Sequence, residues 1–116
     1  MSSADTSPPI EIDVRSVKSM LDNDADFLLL DCREQEECEL VRIEGANHIP
    51  MREISERLGE VESFRDKTIV VHCHLGGRSL MVTEFLRQQG FNKTQNMTGG
   101  IDAWSVQIDQ NLPRYG

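Results

Sequence analysis

A cysteine, a pair of glycines and an arginine stand close together in residues 72–79 (HCHLGGRS). The apolar run before them predicts a strand over residues 68–73, which places Cys73 at a strand's carboxyl end, where open parallel sheets bind ligands. The two glycines allow backbone angles at which successive N–H groups converge on one point. A helix that begins near Arg78 or Ser79 adds the positive end of its dipole. The spacing predicts a cup for an anion, centred on the Cys73 sulfur.

Such a cup would change the chemistry of the thiol. Convergent N–H groups and a helix N-terminus lower the pKa of a thiol and favour the thiolate, which is the nucleophilic form. Arg78, His72 and His74 are expected to add local positive charge to a chain that is acidic as a whole. The segment therefore predicts a catalytic Cys73, although a buried structural cysteine before an ordinary glycine-rich turn has the same spacing.

The elements that must position this cysteine alternate between β-type runs and helical periodicity. Strands are predicted over residues 10–12, 27–30, 46–49, 68–73 and 95–97. Helices are predicted after Asp13, over residues 33–39, over residues 79–89 and after the glycine pair at 99–100, and a helical stripe is formed by Ile54, Leu58 and Val61. In the helix over residues 79–89, one face carries Leu80, Met81, Phe85 and Leu86. About five strand–helix units indicate a parallel sheet with helices on both faces.

Composition and charge exclude several classes of function. The 116 residues suffice for one domain, which we expect over residues 10–116 after a flexible tail at residues 1–9 (MSSADTSPP). A net charge of −8 disfavours binding to nucleic acid. No apolar run reaches the roughly 18 residues of a membrane span, and residues 1–9 do not resemble an export signal. The three cysteines, an odd number, indicate free thiols in a reducing compartment, which we expect to be cytoplasmic.

Four segments between about residue 10 and residue 115 carry a combined pattern: residues 31–34 (DCRE), 45–50 (GANHIP), 73–79 (CHLGGRS) and 99–104 (GGIDAW). In these segments and in their order the chain resembles the single-domain rhodaneses, a family of sulfurtransferases. Residues 73–79 (CHLGGRS) are similar to the active-site loop of that family, Cys-x-x-Gly-x-Arg-Ser. Residues 31–34 (DCRE) resemble its Asp-x-Arg-Glu segment. Residues 45–50 (GANHIP) resemble its Gly-Ala-x-x-Ile-Pro segment, and residues 99–104 (GGIDAW) resemble its closing helix signature.

The resemblance implies a three-layer α/β/α fold with a five-stranded parallel sheet. It implies that the Cys73 thiolate takes a sulfane sulfur from a small donor such as thiosulfate, holds it as a persulfide and passes it to a thiol acceptor. Neither an organic cofactor nor a metal is implied, because the persulfide is itself the reactive group. Asp31 and Arg33 are expected to support the site by orienting the loop region or by pairing locally, rather than to act as acid or base. Arg78 is expected to supply positive charge, either to the donor or to fix the loop. The expected substrate-binding residues, which supply the anion cradle, are His74, Leu75, Gly76, Gly77, Arg78 and Ser79.

Two other interpretations fit parts of the pattern. The cell-cycle phosphatases and their arsenate-reducing relatives share this fold and also begin their loop with His-Cys, but their pattern resembles Cys-x5-Arg. Here Cys73 and Arg78 enclose four residues, which forms a smaller cup suited to one sulfur atom. The other alternative is a non-catalytic or carrier module that delivers sulfur to a partner protein. Residues 112–115 (LPRY) resemble the tails of rhodanese domains fused to sulfur-activation enzymes, which would make a sulfur-relay protein the partner.

Several single positions carry narrower expectations. Residues 41–44 (VRIE) replace the Gly-His pair and the proline that are usual in the family, and we expect them to be structural. Cys32 is predicted to pack as a small apolar residue, and Cys38 to lie partly exposed on a helix. Ser79 is predicted either to cap its helix or to donate a hydrogen bond to the sulfur. Successive strand residues point to opposite faces, so the two flanking histidines are not expected to share a metal with the catalytic cysteine.

Overall fold

The computed structural model describes residues 7–116, and a single sheet of five strands runs through the molecule. The strands are β1 (Glu11–Ile12), β2 (Phe27–Asp31), β3 (Asn47–His48), β4 (Thr68–His72) and β5 (Thr94–Met97). Their order across the sheet is β1-β5-β4-β2-β3, and each neighbouring pair is parallel. The parallel sheet expected from the sequence is thus confirmed. Strand β4 is central, which explains why its apolar run is continuous.

Helices cover both faces of the sheet and complete the three-layer architecture. Within residues 7–116, the α-helices are α1 (Val14–Asp22), α2 (Gln35–Leu40), α3 (Gly77–Gln88) and α4 (Gly100–Gln107). In the same described range, three 3-10 helices precede β4 (Met51–Glu56, Leu58–Glu60 and Glu62–Phe64). On one face, Leu30 packs with residues of α3 and of the 3-10 helices. On the other face, Leu29 packs with residues of α1 and α4. Neighbouring strand residues serve opposite faces because side chains alternate along a strand.

The structure differs from the sequence predictions in two helical stretches. The stripe along residues 54–61 belongs to short 3-10 helices rather than one α-helix, and Gly59 within it disfavours an α-helix. Helix α3 begins at Gly77, before the predicted start at residue 78 or 79, because Gly76 already ends the loop in a left-handed conformation. Met81, which is predicted to share one face of this helix with Leu86, is 58% exposed, whereas Leu86 is buried. The buried residues of that helix are Ser79, Val82, Thr83 and Leu86.

The segment that leads into β1 is anchored by two side chains. The carbonyl of Pro8 accepts a hydrogen bond from Arg87 Nη2 at 2.7 Å, and the carbonyl of Pro9 accepts one from Gln95 Nε2 at 2.9 Å. Of the tail predicted at residues 1–9, residues 1–6 lie outside the described part of the chain. From residue 7 onward, no helix is both long enough and apolar enough to cross a membrane.

Candidate active site

Cys73 directly follows β4 and lies at the base of the loop that leads into α3. Three donors point at its sulfur: the Gly76 N–H at 3.1 Å, the Ser79 N–H at 3.4 Å and the Ser79 hydroxyl at 3.3 Å. Gly76 has a φ of 110°, a conformation that favours glycine, and this turn brings its N–H round to the sulfur. The loop therefore forms a cradle around one sulfur atom, and Ser79 takes the second of its two predicted roles.

The cradle favours the ionised form of this sulfur. Cys73 is 1% exposed, and desolvation by itself raises the pKa of a thiol. Hydrogen bonds from the Ser79 hydroxyl and from the N–H groups of Ser79, Gly76 and Leu75 outweigh that burial, so the pKa of the Cys73 thiol is lowered. The N-terminus of α3 adds the positive end of a helix dipole. A thiolate stabilised in this way is a nucleophile.

The other two cysteines are held as neutral thiols. Cys32 is fully buried, and desolvation is the main cause that raises its pKa. Burial and then the nearby Asp31 carboxylate raise the pKa of the partly exposed Cys38 to about 12. Of the three cysteines, Cys73 is therefore the one prepared to act as a nucleophile. Across residues 7–116, no three His, Cys, Asp or Glu side chains are grouped so as to hold a metal ion.

Arg78 extends away from the sulfur to α2, where it forms a two-point ion pair with Glu37. The Arg78 Nη1–Glu37 Oε1 distance is 2.7 Å, and the Nη2–Oε2 distance is 2.8 Å. The Tyr115 hydroxyl also donates to Glu37 Oε2, at 2.7 Å. The hydrogen bonds from Arg78 are the main reason that the pKa of Glu37 is lowered to about 2. Arg78 is expected either to supply charge to the donor or to fix the loop. In this geometry its guanidinium fixes the loop, because it is bound to Glu37.

The two histidines beside Cys73 have different surroundings. His72 is fully buried in β4, and desolvation lowers its pKa, so its imidazole is neutral at neutral pH. The prediction that His72 adds positive charge is therefore wrong. His74 lies beyond the end of the strand, where its ring stacks on Tyr115 with the centroids 4.0 Å apart. Tyr115 thus covers one side of the loop, whereas the next loop residue, Leu75, is 62% exposed.

Asp31 and Arg33 form a buried ion pair that supports α2. The Arg33 guanidinium donates to Asp31 Oδ1 from Nε at 2.9 Å and to Asp31 Oδ2 from Nη2 at 2.7 Å. It also donates to the Val41 carbonyl at 2.8 Å and to the Tyr115 hydroxyl at 3.1 Å. The pair therefore ties the end of β2 to the end of α2 and to Tyr115. Its contact with the loop is indirect, through Glu37, which binds Arg78, and through Tyr115, which stacks on His74.

Asn96 in β5 is a residue of the site that the sequence patterns did not single out. Its Oδ1 accepts a hydrogen bond from the Ser79 hydroxyl at 2.5 Å, and its Nδ2 donates to the Gly76 carbonyl at 3.2 Å. The side chain is almost wholly buried. Asparagine is depleted in strands, and buried polar groups need partners, so a lone asparagine in a buried strand was the available signal.

The N-terminus of α4 meets the loop from the other side. Gly99 and Gly100 have φ values of 81° and 61°, and they turn the chain from β5 into α4. The Ile101 N–H donates to the Cys73 carbonyl at 2.9 Å, and the Asp102 N–H donates to the His74 carbonyl at 3.1 Å. The first N–H groups of a helix have no partner within the helix, so those of α4 are available to the two loop carbonyls. The glycine pair permits this close approach.

Replacing Gly100 by alanine is expected to displace the loop. An added Cβ would lie 2.4 Å from the carbonyl oxygen of His74 and 2.6 Å from that of Cys73, which are both backbone atoms. Alanine is also disfavoured at a φ of 61°. We expect Gly100→Ala to lower the free energy of unfolding, measured by urea denaturation, by at least about 2 kcal/mol. Gly59→Ala is the control, because an added Cβ there meets nothing within 4 Å; equal losses in both variants would contradict this account.

Comparison with known proteins assigns the chain to a family. The profile of the rhodanese-like domain matches residues 13–107, which include the loop, α2 and the whole of α4. The chain belongs to the rhodanese-like domain family. The cradle around Cys73 and the ion pair of Arg78 with Glu37 lie within the matched residues.

Relatives of this rhodanese-like domain include short and long proteins. A sulfurtransferase from Allochromatium vinosum is 37% identical over 95 residues, which are 82% of this chain and 87% of the relative. A Bacillus subtilis protein named as a candidate sulfur carrier, YrkF, is 36% identical over 104 residues, 90% of this chain and 55% of that protein. The rhodanese-like/PpiC domain-containing protein 12 of Arabidopsis thaliana is 36% identical over 89 residues, which are 75% of this chain but only 30% of that longer protein. The crystal structure of a rhodanese-like domain protein from Staphylococcus aureus has a TM-score of 0.74 at 28% identity and covers 93% of this chain and 100% of its own.

Proposed function

We propose that this protein is a sulfurtransferase in which Cys73 carries the transferred sulfur. The observation that supports this most directly is the set of three hydrogen-bond donors on the Cys73 sulfur. Donors in this arrangement stabilise negative charge, which both a free thiolate and a persulfide carry. Membership of the rhodanese-like domain family and a 37%-identical relative named as a sulfurtransferase agree with this function.

The proposed reaction has two half-reactions. In the first, the Cys73 thiolate attacks the outer sulfur of a donor such as thiosulfate, the sulfur–sulfur bond of the donor breaks, and sulfite leaves with the electron pair. In the second, an acceptor thiolate attacks the outer sulfur of the persulfide, and the electron pair returns to the Cys73 sulfur. The enzyme ends as it began, and this exchange is covalent catalysis by a nucleophile. The protein contributes the cradle, which holds the charge on sulfur at each stage.

The burial of Cys73 restricts which donors and acceptors can react. Only 1% of the residue is exposed, so the attacked or attacking sulfur must project from the rest of its molecule. The terminal sulfur of thiosulfate or of a persulfide meets this requirement. His74, which lies against Tyr115, and the exposed Leu75 flank the approach, and we propose that these two positions set the preference for donor and acceptor.

The geometry favours sulfur transfer over phosphatase or arsenate reductase chemistry. Cys73 and Arg78 enclose four residues, and the donors of the loop converge on a single sulfur atom. Both outer nitrogens of the Arg78 guanidinium are bound by the Glu37 carboxylate. A phosphate or arsenate would need that guanidinium for itself. We therefore rank phosphatase and arsenate reductase activity below sulfur transfer.

A second candidate function has the same chemistry but a protein acceptor. The Bacillus subtilis relative named as a candidate sulfur carrier supports it. In that case Cys73 would deliver sulfur to the thiol of a partner protein in a sulfur relay. Either function requires reduced thiols, and the three free cysteines agree with the cytoplasm as the proposed location.

Intact-mass measurement tests the proposed function. The reduced protein is incubated with thiosulfate, weighed and then treated with cyanide, with Cys73→Ser treated in parallel. We expect a gain of one sulfur atom that requires Cys73 and that cyanide removes. If thiosulfate, polysulfide and glutathione persulfide all fail to load Cys73, the proposal is wrong. Adding glutathione to the loaded protein separates the two candidates, because a persulfide that small thiols do not discharge indicates a protein acceptor.

A further inference from the structure

The side chain of Asn96 links three parts of the molecule around Cys73. Its Oδ1 accepts from the Ser79 hydroxyl at 2.5 Å, and its Nδ2 donates to the Gly76 carbonyl at 3.2 Å. Nδ2 also lies 3.1 Å and 3.0 Å from the two carboxylate oxygens of Glu11 in the edge strand β1. Asn96 is only 3% exposed. Both loop residues that it binds, Gly76 and Ser79, also donate a backbone N–H to the Cys73 sulfur.

The orientation of this amide is determined by its partners. The Gly76 carbonyl and the Glu11 carboxylate can only accept hydrogen bonds, so the NH2 group of Asn96 must face them. The carbonyl end of the amide must then face Ser79. Glu11 is held in place by the register of β1 on β5, which pairs Glu11 with Asn96, and by a hydrogen bond of 2.7 Å from the Thr98 hydroxyl.

The fixed amide of Asn96 controls where the single hydroxyl hydrogen of Ser79 points. The Ser79 hydroxyl has one hydrogen, and two acceptors lie within reach of it: Asn96 Oδ1 at 2.5 Å and the Cys73 sulfur at 3.3 Å. The amide oxygen of Asn96 therefore holds the Ser79 hydroxyl beside the sulfur. When the sulfur becomes negative, the hydroxyl hydrogen can turn from the amide oxygen toward the sulfur. On the other side, the bond to the Gly76 carbonyl fixes the residue whose N–H is nearest the sulfur.

We propose that Asn96 is a positioning residue for the nucleophile, which acts on Cys73 through Ser79 and Gly76. The inference rests on the proposed function in so far as Cys73 is the reacting group. It assigns a role to β5 and to the edge strand β1, which lie outside the loop that carries the cysteine. Loss of Asn96 would leave the protein with its nucleophile but with a poorer cradle.

The test is the pH dependence of Cys73 alkylation by iodoacetamide, followed by peptide mass spectrometry in wild type, Asn96→Asp and Asn96→Ala. A carboxylate at this position keeps the size of the side chain, but it cannot donate to the Gly76 carbonyl, it draws the Ser79 proton away, and its charge opposes a thiolate. We expect the midpoint of alkylation to rise by about one pH unit or more in Asn96→Asp, which corresponds to a roughly tenfold weaker acid dissociation of the Cys73 thiol. We expect a smaller rise in Asn96→Ala, which adds no charge.

Gln95→Ala is the matched control. Gln95 is the neighbouring residue of β5, it is also buried, and its amide also binds the N-terminal segment, at the Pro9 carbonyl. Because neighbouring strand residues point to opposite faces, its side chain lies away from Ser79. We expect Gln95→Ala to leave the alkylation midpoint unchanged, even if it lowers the melting temperature measured by circular dichroism.

The outcomes separate this inference from the proposed function. An unchanged or lowered midpoint in both Asn96 variants, with folded circular dichroism spectra, would overturn the positioning role, since a purely structural residue changes stability but not the pH midpoint. Alkylation does not need a sulfur donor, so it reports on Asn96 even if wild type takes up no sulfur from thiosulfate. A raised midpoint together with failed sulfur loading would therefore support the positioning role and reject the proposed function.

Discussion

Cys73→Ser is expected to abolish sulfur transfer while the protein remains folded. A serine hydroxyl is not ionised at neutral pH and cannot form a persulfide, so we expect the rate of thiocyanate production from thiosulfate and cyanide to fall at least roughly a thousandfold. The fold should tolerate the change because the hydroxyl oxygen can accept the same hydrogen bonds from Gly76 and Ser79. Circular dichroism and the urea midpoint of the variant are expected to lie close to those of wild type.

Cys38→Ser is the control for this experiment. Cys38 is partly exposed, and its thiol donates to Asp31 Oδ2 at 3.4 Å, a bond that a serine hydroxyl can also make. Since its raised pKa of about 12 keeps Cys38 protonated, we expect its replacement to leave the rate of sulfur transfer unchanged. Full activity in Cys73→Ser, or loss of activity in Cys38→Ser alone, would show that the nucleophile has been assigned wrongly.

The features predicted correctly from the sequence depend on local spacing. Strand β4 is recognisable because its five residues are nearly all buried, so its apolar run has no polar alternation. The cradle is recognisable because Gly76 sits where a left-handed turn must bring an N–H back to Cys73. Backbone geometry determines where a strand ends and where a glycine is needed. It therefore selects residue types at neighbouring positions, and these can be recognised in the sequence.

The features that were missed depend on contacts between distant parts of the chain. Arg78 meets Glu37 across 41 positions, and Arg33 meets Tyr115 across 82. Local spacing shows that these residues are charged or aromatic, but it does not show which of them meet. The charge of His72 was predicted wrongly for the same reason, because its burial under the layer of helices, rather than its neighbours in sequence, sets its pKa.

Asp31→Asn is expected to be strongly destabilising. The Arg33 side chain is fully buried and Asp31 is 2% exposed, so the variant leaves a buried guanidinium without its counterion and sets an amide NH2 against its N–H groups. Removing one partner of such a pair costs about 3–5 kcal/mol, a large part of the 5–15 kcal/mol that is typical of a whole domain. Urea denaturation measures the loss, and a variant that does not fold at all also agrees with this expectation.

The control is a salt bridge of similar length on the surface. Lys67 Nζ lies 2.8 Å from Asp26 Oδ2, but the two side chains are 46% and 71% exposed. We expect Asp26→Asn to cost no more than about 1 kcal/mol because water already solvates both charges. Similar losses in the two variants would contradict the view that burial makes the Asp31–Arg33 pair important.

The pH dependence of the same variant identifies the charge as the cause. Desolvation opposes ionisation of Asp31, but the hydrogen bonds from Arg33 outweigh it, and the pKa of Asp31 is lowered from its ordinary value of 3.8. A carboxylate with a lowered pKa contributes stability above its unfolded pKa and loses it as the pH falls through the folded value. The difference in unfolding free energy between wild type and Asp31→Asn should therefore be constant near neutral pH and shrink below about pH 4. A difference that persists in acid would instead implicate the amide NH2 group that the variant sets against the N–H groups of Arg33.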